Sequence, residues 1–212
     1  MELGRRNCQN GGMSAETIAR VHIVLNDIQP TIWRQVDVPV TASLKMLHDI
    51  VQAAMGWESY HLWHFDAGGR RYGVPDQAWP DHGMVAARNV KLAALLDRGV
   101  RELLYTYDMG DDWRHTITVE GVGPSEPDQQ YPRFVDGERR CPPEDVGGLP
   151  GFEMFLDAMA DPTHEEHHRL REWYGGPYNP DDIDERTTRR ALAAIASRRY
   201  AGKIAYLKSR TQ

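Results

Sequence analysis

An α+β fold, built on a hairpin-rich mixed or antiparallel sheet packed by one long helix and followed by a helical C-terminal extension, is predicted by three observations. Paired segments of period-two hydrophobicity recur through the first 123 residues. A single strongly amphipathic stretch with helical spacing lies between the first two pairs. The last third changes to helical periodicity behind a Pro/Gly and acid-rich stretch. With 212 residues and 41% hydrophobic content, the chain is long enough to bury a sizeable core without staples.

The elements follow in order. Val21, Ile23 and Leu25 share one face of a strand over Arg20 to Ile28, and Ile32 to Val38 is its partner across the turn at Gln29-Pro30. Thr41 or Ser43 caps the next segment, where Leu44, Leu47, Val51, Ala54 and Met55 fall on one helical face until Gly56 ends it. His61 to Ala67 and Arg70 to Gly73 read as a second hairpin around Gly68-Gly69. Val74 to Asn89 lacks periodicity and reads as an exposed loop and candidate lid; Lys91 to Leu96 suits a short helix. Glu102 to Asp108 and Trp113 to Val122 form a third hairpin, which completes β-β-α-β-β-α-β-β. Helices are expected near Phe152 to Ala160, Thr163 to Trp173 and Arg186 to Arg199. The expected organisation is a disordered tail over 1–18, a sheet core over 19–123, an acidic crossing segment over 124–150, a helical part over 151–199 and a basic tail over 200–212. Met13 is an alternative start.

Composition excludes some functions. No stretch approaches the roughly 20 apolar residues of a membrane helix, and no secretory leader precedes the first strand. Cys8 and Cys141 lie far apart in unlike contexts, which fits a reducing cytoplasm, and the Pro142-Pro143 and acids that follow Cys141 offer no cation to activate it. The net charge of −6 is unevenly distributed: 136–185 holds fourteen acids against four Arg, whereas 186–212 holds eight Lys or Arg and no acid. The basic end either touches phosphate or folds back onto the chain's own acidic segment, and the acidic total favours the second.

Chemistry concentrates in the run Tyr105 to His115. Asp108, Asp111 and Asp112 with His115 form a candidate divalent-metal set, with His61 approaching across the sheet and Glu144 or Asp145 assisting. Hydrolysis, including nuclease chemistry, is what such a metal would support. The competing reading is an Asp-rich turn whose carboxylates accept backbone N–H groups, with Arg114 paired to one and Trp113 in the sheet. His61 and His64 fall on opposite faces of a regular strand. His164-Glu165-Glu166-His167-His168 matches the zinc-protease pattern literally, in a solvated acidic helix start that makes the match weak. Arg34, Arg70, Arg71, Arg133, Arg139 and Arg140, with Trp33, Tyr72 and Tyr131 near in sequence, make a candidate anion-binding surface, against the alternative of ion pairs and packed rings; Trp113, Arg114, Glu144 and Asp145 are counted in the same binding surface. A metal enzyme would gather at least three ligands in one cleft; a binding module would show an exposed aromatic or basic groove.

Ile32-Trp33-Arg34, Val38-Pro39, Gln52 to Trp57, Tyr60-His61-Leu62, Gly69 to Gly73, the Asp108 to His115 turn, Tyr131-Pro132-Arg133, Cys141 to Asp145, Gly147-Gly148 and Asp161-Pro162 occur in this order. From about Ala19 to Asp184 the chain resembles the plasmid pRi ORF-3-like family, whose members are also labelled insertion-element passenger proteins of the TnpR type. The resemblance implies a cytoplasmic binding or accessory protein associated with mobile DNA, with DNA or a transposition-associated protein as partner. Two positions depart from the family: Val146 stands where a second Cys is frequent and Trp63 where a His is frequent, so a Cys-pair metal site is not expected. Resolvase chemistry also lacks support, because Ser14, Ser43 and Ser59 sit in a tail, at a helix cap and after a helix end rather than among convergent arginines.

Overall fold

The computed structural model describes residues 15–75 and 83–210. Eight strands form one mixed sheet in the order β5-β4-β3-β6-β7-β1-β2-β8. They are β1 (Thr17–Leu25), β2 (Ile32–Pro39), β3 (Trp63–Ala67), β4 (Arg70–Gly73), β5 (Val85–Ala86), β6 (Glu102–Tyr107), β7 (Trp113–Pro124) and β8 (Arg133–Glu138). Among the described residues only the β4–β5 pairing is parallel. The helices are α1 (Leu44–Met55), α2 (Leu92–Leu96), α3 (Gly148–Ala160), α4 (His167–Tyr174) and α5 (Glu185–Ser209).

The three expected hairpins form, each with one face in the core: Val21, Ile23 and Leu25 on β1, Leu103, Tyr105 and Tyr107 on β6, and Trp63 and Phe65 on β3 are all buried. The helix α1 lies against this face. Ser43 caps it by accepting from the Met46 N–H, and Gly56 closes it at φ +85°, a conformation that costs glycine nothing. Packing beside α1 and β8 comes from α5.

Several expectations are corrected. The strand expected to begin at His61 begins at Trp63, leaving His61 in the preceding loop. Thr17 is already in β1, inside the segment expected to be a tail; residues 1–14 lie outside the described residues. The acidic crossing segment contains β8, an edge strand paired to β2. Part of the candidate lid is short structure instead: Val85–Ala86 extends the sheet and a 3-10 turn follows at Ala87–Asn89, while 76–82 lie outside the described residues. Residues 200–209 continue α5, because no proline follows Asp184 and the single Gly202 is outweighed by helix-forming Ala, Arg and Lys.

Two buried histidines make the fold acid-sensitive. His48 on α1 stacks on Trp63 with ring centroids 4.0 Å apart and lies 2.7 Å from the Tyr105 hydroxyl. His115 on β7 is fully buried between Trp57 and Tyr105, and neither ring nitrogen has a partner among the described residues. Burial pushes both imidazoles down to about 3 from an ordinary 6.5. The unfolded chain therefore binds more protons between those values; stability is complete above about pH 6.5 and falls as the pH drops towards 3. At pH 4 each imidazole accounts for a loss of about 3 kcal/mol. Urea unfolding at neutral pH and near pH 4 is expected to lose about half of this acid sensitivity in His115→Phe; an unchanged difference between the two pH values would refute the assignment.

Candidate metal centre

The centre is assembled where two loops meet the β6–β7 turn. After Gly56 the chain is fixed residue by residue. The Trp57 indole donates to the Pro142 carbonyl at 2.8 Å, and the Glu58 N–H donates to Glu144 Oε1 at 2.7 Å. Ser59, at φ +60°, donates its N–H to Gln52 Oε1 at 2.9 Å. The Tyr60 N–H donates to the Tyr107 hydroxyl at 3.1 Å, and that hydroxyl donates to the Glu144 carboxylate at 3.0 and 3.2 Å. Burial and the Glu144 carboxylate together hold the Tyr107 phenol well above its ordinary range, so it remains a donor. A backbone bond from the Asp108 N–H to the Leu62 carbonyl, 2.9 Å, then sets His61 beside the turn.

Within the turn, Asp108 is buried at φ +56°, and its Oδ1 accepts the Gly110 N–H at 2.9 Å. Aspartate tolerates this left-handed backbone better than most residues. Its Oδ2 lies 3.5 Å from His61 Nε2, and Asp145 Oδ1 lies 2.9 Å from the same nitrogen. Ligand atoms of His61, Asp108 and Asp145 all fall within 4.8 Å of one another. Nε2 is shielded from solvent and forms no hydrogen bond, because the carboxylate oxygens lie off the line along which a ring N–H would donate. Around a cation held at about 2.1 Å, neighbouring ligand atoms are about 3.0 Å apart in an octahedron and about 3.4 Å apart in a tetrahedron. The two His61 contacts lie close to these edges. Asp145 is largely exposed, which leaves the outer side of the centre open to water.

Not every expected ligand is here. His115 alternates with Trp113 and Ile117 onto the core face of β7, where it packs against Trp57 and Tyr105 rather than on the turn. Asp112 is exposed and lies 3.4 Å from Arg114, which also reaches Asp27 at 3.2 Å. Asp111 accepts the Gly147 N–H at 3.2 Å and so holds the second loop instead of a cation. Gly148, at φ +65°, makes that approach feasible, since a Cβ there would sit 2.9 Å from the Asp111 carbonyl oxygen. Glu144 is a hydrogen-bond anchor, and the adjacent Asp145, expected only to assist, is the carboxylate that faces His61. His64 instead pairs with Asp66, 3.1 Å distant.

The expected anion-binding surface does not assemble. Arg34 and Tyr72 are core residues, and Trp113 and Tyr131 are buried. Arg71 pairs with Asp66, Arg133 with Asp37 and Glu126, Arg139 with Asp181, and Arg140 with Asp182. Trp33 donates to Glu138 from the β2–β8 edge, far in topology from the exposed Arg70 on the β3–β4 hairpin. The His164–His168 pattern is likewise not a helical pair, because α4 begins at His167, whose Nδ1 binds the Ala158 carbonyl.

Ser59 and His48 form one contact with the outline of a nucleophile pair, Oγ to Nε2 at 3.2 Å. The tautomer excludes that role. Gln52 donates to the Tyr105 hydroxyl at 3.0 Å, and the arrangement that leaves no buried donor unpaired has that hydroxyl donate to His48 Nδ1 and Nε2 carry the ring proton. His48 is thus a donor to Ser59, and no base faces the hydroxyl.

The structure defines an α+β protein of the mixed-sheet class with a His-Asp-Asp constellation between the β6–β7 turn and a returning loop. The chain belongs to the plasmid pRiA4b ORF-3-like protein family, whose model matches residues 17–187. The uncharacterized protein y4hQ of Sinorhizobium fredii (strain NBRC 101917 / NGR234) is 39% identical over 159 residues, covering 75% of this chain and 81% of the relative. The crystal structure of the protein of unknown function MM3350 from Methanosarcina mazei Go1 is similar with a TM-score of 0.74 and 31% identity, over 82% of this chain and 97% of that one. No described helix is long and apolar enough to cross a membrane.

Proposed function

We propose that the protein holds a divalent cation on His61, Asp108 and Asp145 and acts as a metal-dependent hydrolase. The observation that carries this reading is the His61 imidazole nitrogen, shielded and without a hydrogen bond, facing two carboxylates at 2.9 and 3.5 Å. One imidazole and two carboxylates suit Mn(II) or Zn(II), and a three-ligand set leaves positions for water and substrate. Bound there, the cation would polarise a substrate oxygen and lower the pKa of a coordinated water. The chain's own contribution is orientation: Tyr107 and Glu144 fix the loops that carry His61 and Asp145, and Asp111 pins the second loop through Gly147. Tyr60, Leu62 and Met109, which flank two of the ligands in sequence, are exposed apolar side chains.

A second reading is a binding or accessory protein associated with mobile DNA, supported by the plasmid origin in the family's description. A reducing, cytoplasmic setting is supported in either case by Cys141, a free and buried thiol. Hydrolysis of chromogenic phosphomonoesters, phosphodiesters and carboxylic esters by tag-free protein with added Mn(II) separates the readings. Metal-stimulated turnover that falls at least about 100-fold in Asp145→Ala is expected. The absence of turnover on every ester class would turn the assignment to the accessory role.

A further inference from the structure

The helix α5 runs beyond the body that it packs on. Its 25 residues span about 37 Å, yet its buried residues, Thr188, Leu192, Ile195 and Ala196, all lie in the first half. The second half carries the arm: Arg199 still bonds Glu16 and Lys203 and Ile204 are half-buried, while Ala205 to Arg210 are exposed throughout. Arg198, Lys203 and Arg210 on it have no carboxylate partner among the described residues, and Tyr200 and Tyr206 expose 45% and 60% of their surface. Residues 186–212 contain eight Lys or Arg and no acid, which leaves 1–185 with 17 cations against 31 acids, a formal −14.

Among the described residues, the ion pairs of Arg189 and Arg199 do not join α5 to the acidic segment. Arg189 pairs with Glu185 of its own helix and Arg199 with Glu16, whereas the acidic segment satisfies Asp181, Asp182 and Glu166 with Arg139, Arg140 and Arg169. Glu153 and Asp157 on α3 and Glu172 on α4 remain exposed without a cationic partner among the described residues. Beside them in sequence are Met154 and Trp173, both exposed, and the two helices are joined where the Trp173 ring packs edge-on against Phe155 at 5.9 Å. This face therefore combines apolar side chains with carboxylates, and the arm combines aromatic side chains with cations.

We propose that the α5 arm of one copy docks on the α3–α4 face of a second copy, reciprocally, to form a two-fold dimer. Each copy carries both halves of the contact, so one symmetry operation satisfies both arms at once. A nucleic acid is the less suitable occupant, because the body behind the arm repels phosphate at −14.

Sedimentation velocity and light scattering on the full chain test this from about 0.05 M to about 1 M salt, a range over which the screening length falls several-fold. The wild type is expected to be a dimer at low salt and to dissociate as salt rises. Reversing the arm (Arg198→Glu, Lys203→Glu, Arg210→Glu) or the face (Glu153→Lys, Asp157→Lys, Glu172→Lys) is expected to give monomers with native far-UV circular dichroism. Mixing the two variants should restore a heterodimer, since an acidic arm then meets a basic face and a basic arm an acidic one. A monomeric wild type at low salt, a dimer indifferent to arm reversal, or a mixture of folded variants that stays monomeric would overturn the proposal. So would a monomeric wild type that binds a duplex oligonucleotide through the arm.

Discussion

Replacing His61 with alanine is expected to weaken Mn(II) or Zn(II) binding by at least about 100-fold, beyond the 10- to 100-fold range typical of groups that only orient ligands. His61 supplies the one nitrogen of the set and lies within reach of both carboxylates, so its loss leaves only two ligands, of which Asp145 is largely exposed to competing water. Asp145→Ala should behave alike. Asp112→Ala should change affinity less than about threefold, because its carboxylate is engaged with Arg114 on the outside of the turn. Isothermal titration of the three variants is the check, and equal losses in all of them would mean that the whole acidic turn, rather than a defined centre, attracts the ion.

Arg34→Met is expected to be among the most destabilising substitutions in the chain. The guanidinium is buried and donates to the carbonyls of Ala54 at 2.9 Å, Trp33 at 2.7 Å and Glu138 at 2.9 Å, with the Cys141 sulfur at 3.6 Å. Ala54 lies in the last turn of α1, where a cation also complements the helix dipole. Methionine fills much of the volume but leaves buried carbonyls without donors, each costing about 1–3 kcal/mol. A loss of about 4 kcal/mol or more follows, which for a chain of this size lowers Tm by about 10 °C. Differential scanning calorimetry measures it. Because Arg34 also anchors the start of the Cys141–Asp145 loop, metal affinity should fall in the same variant; a shift within about 1 kcal/mol would show that water replaces the guanidinium.

The hairpins and α1 were legible because each element buries one face, and burial imposes a period of two on Val21-Ile23-Leu25 and of 3.6 on Leu44, Leu47, Val51 and Ala54. The same rule, applied strictly, places Arg34 with Ile32 and Val36 on the core side of β2, and His115 with Trp113 and Ile117 on that of β7. Reading those side chains by chemistry instead of by parity assigned Arg34 to a surface and His115 to a metal. The edge strand β8 was hidden because Arg133 to Glu138 has only Phe134 buried against the core and is otherwise polar. The centre itself was half visible. His61 and Asp108 were named from the turn and its neighbouring strand, but Asp145 reaches them through a loop return that leaves no local periodicity, only the Gly147-Gly148 pair that lets backbone meet backbone.

Elemental analysis of tag-free protein purified without chelator and reloaded with Mn(II) or Zn(II) tests the metal centre most directly. The account predicts about one ion per chain in the wild type and in Asp112→Ala, and a small fraction of that in His61→Ala and Asp145→Ala with the fold intact. Metal absent from the reloaded wild type, or retained equally by His61→Ala and Asp145→Ala, would contradict it.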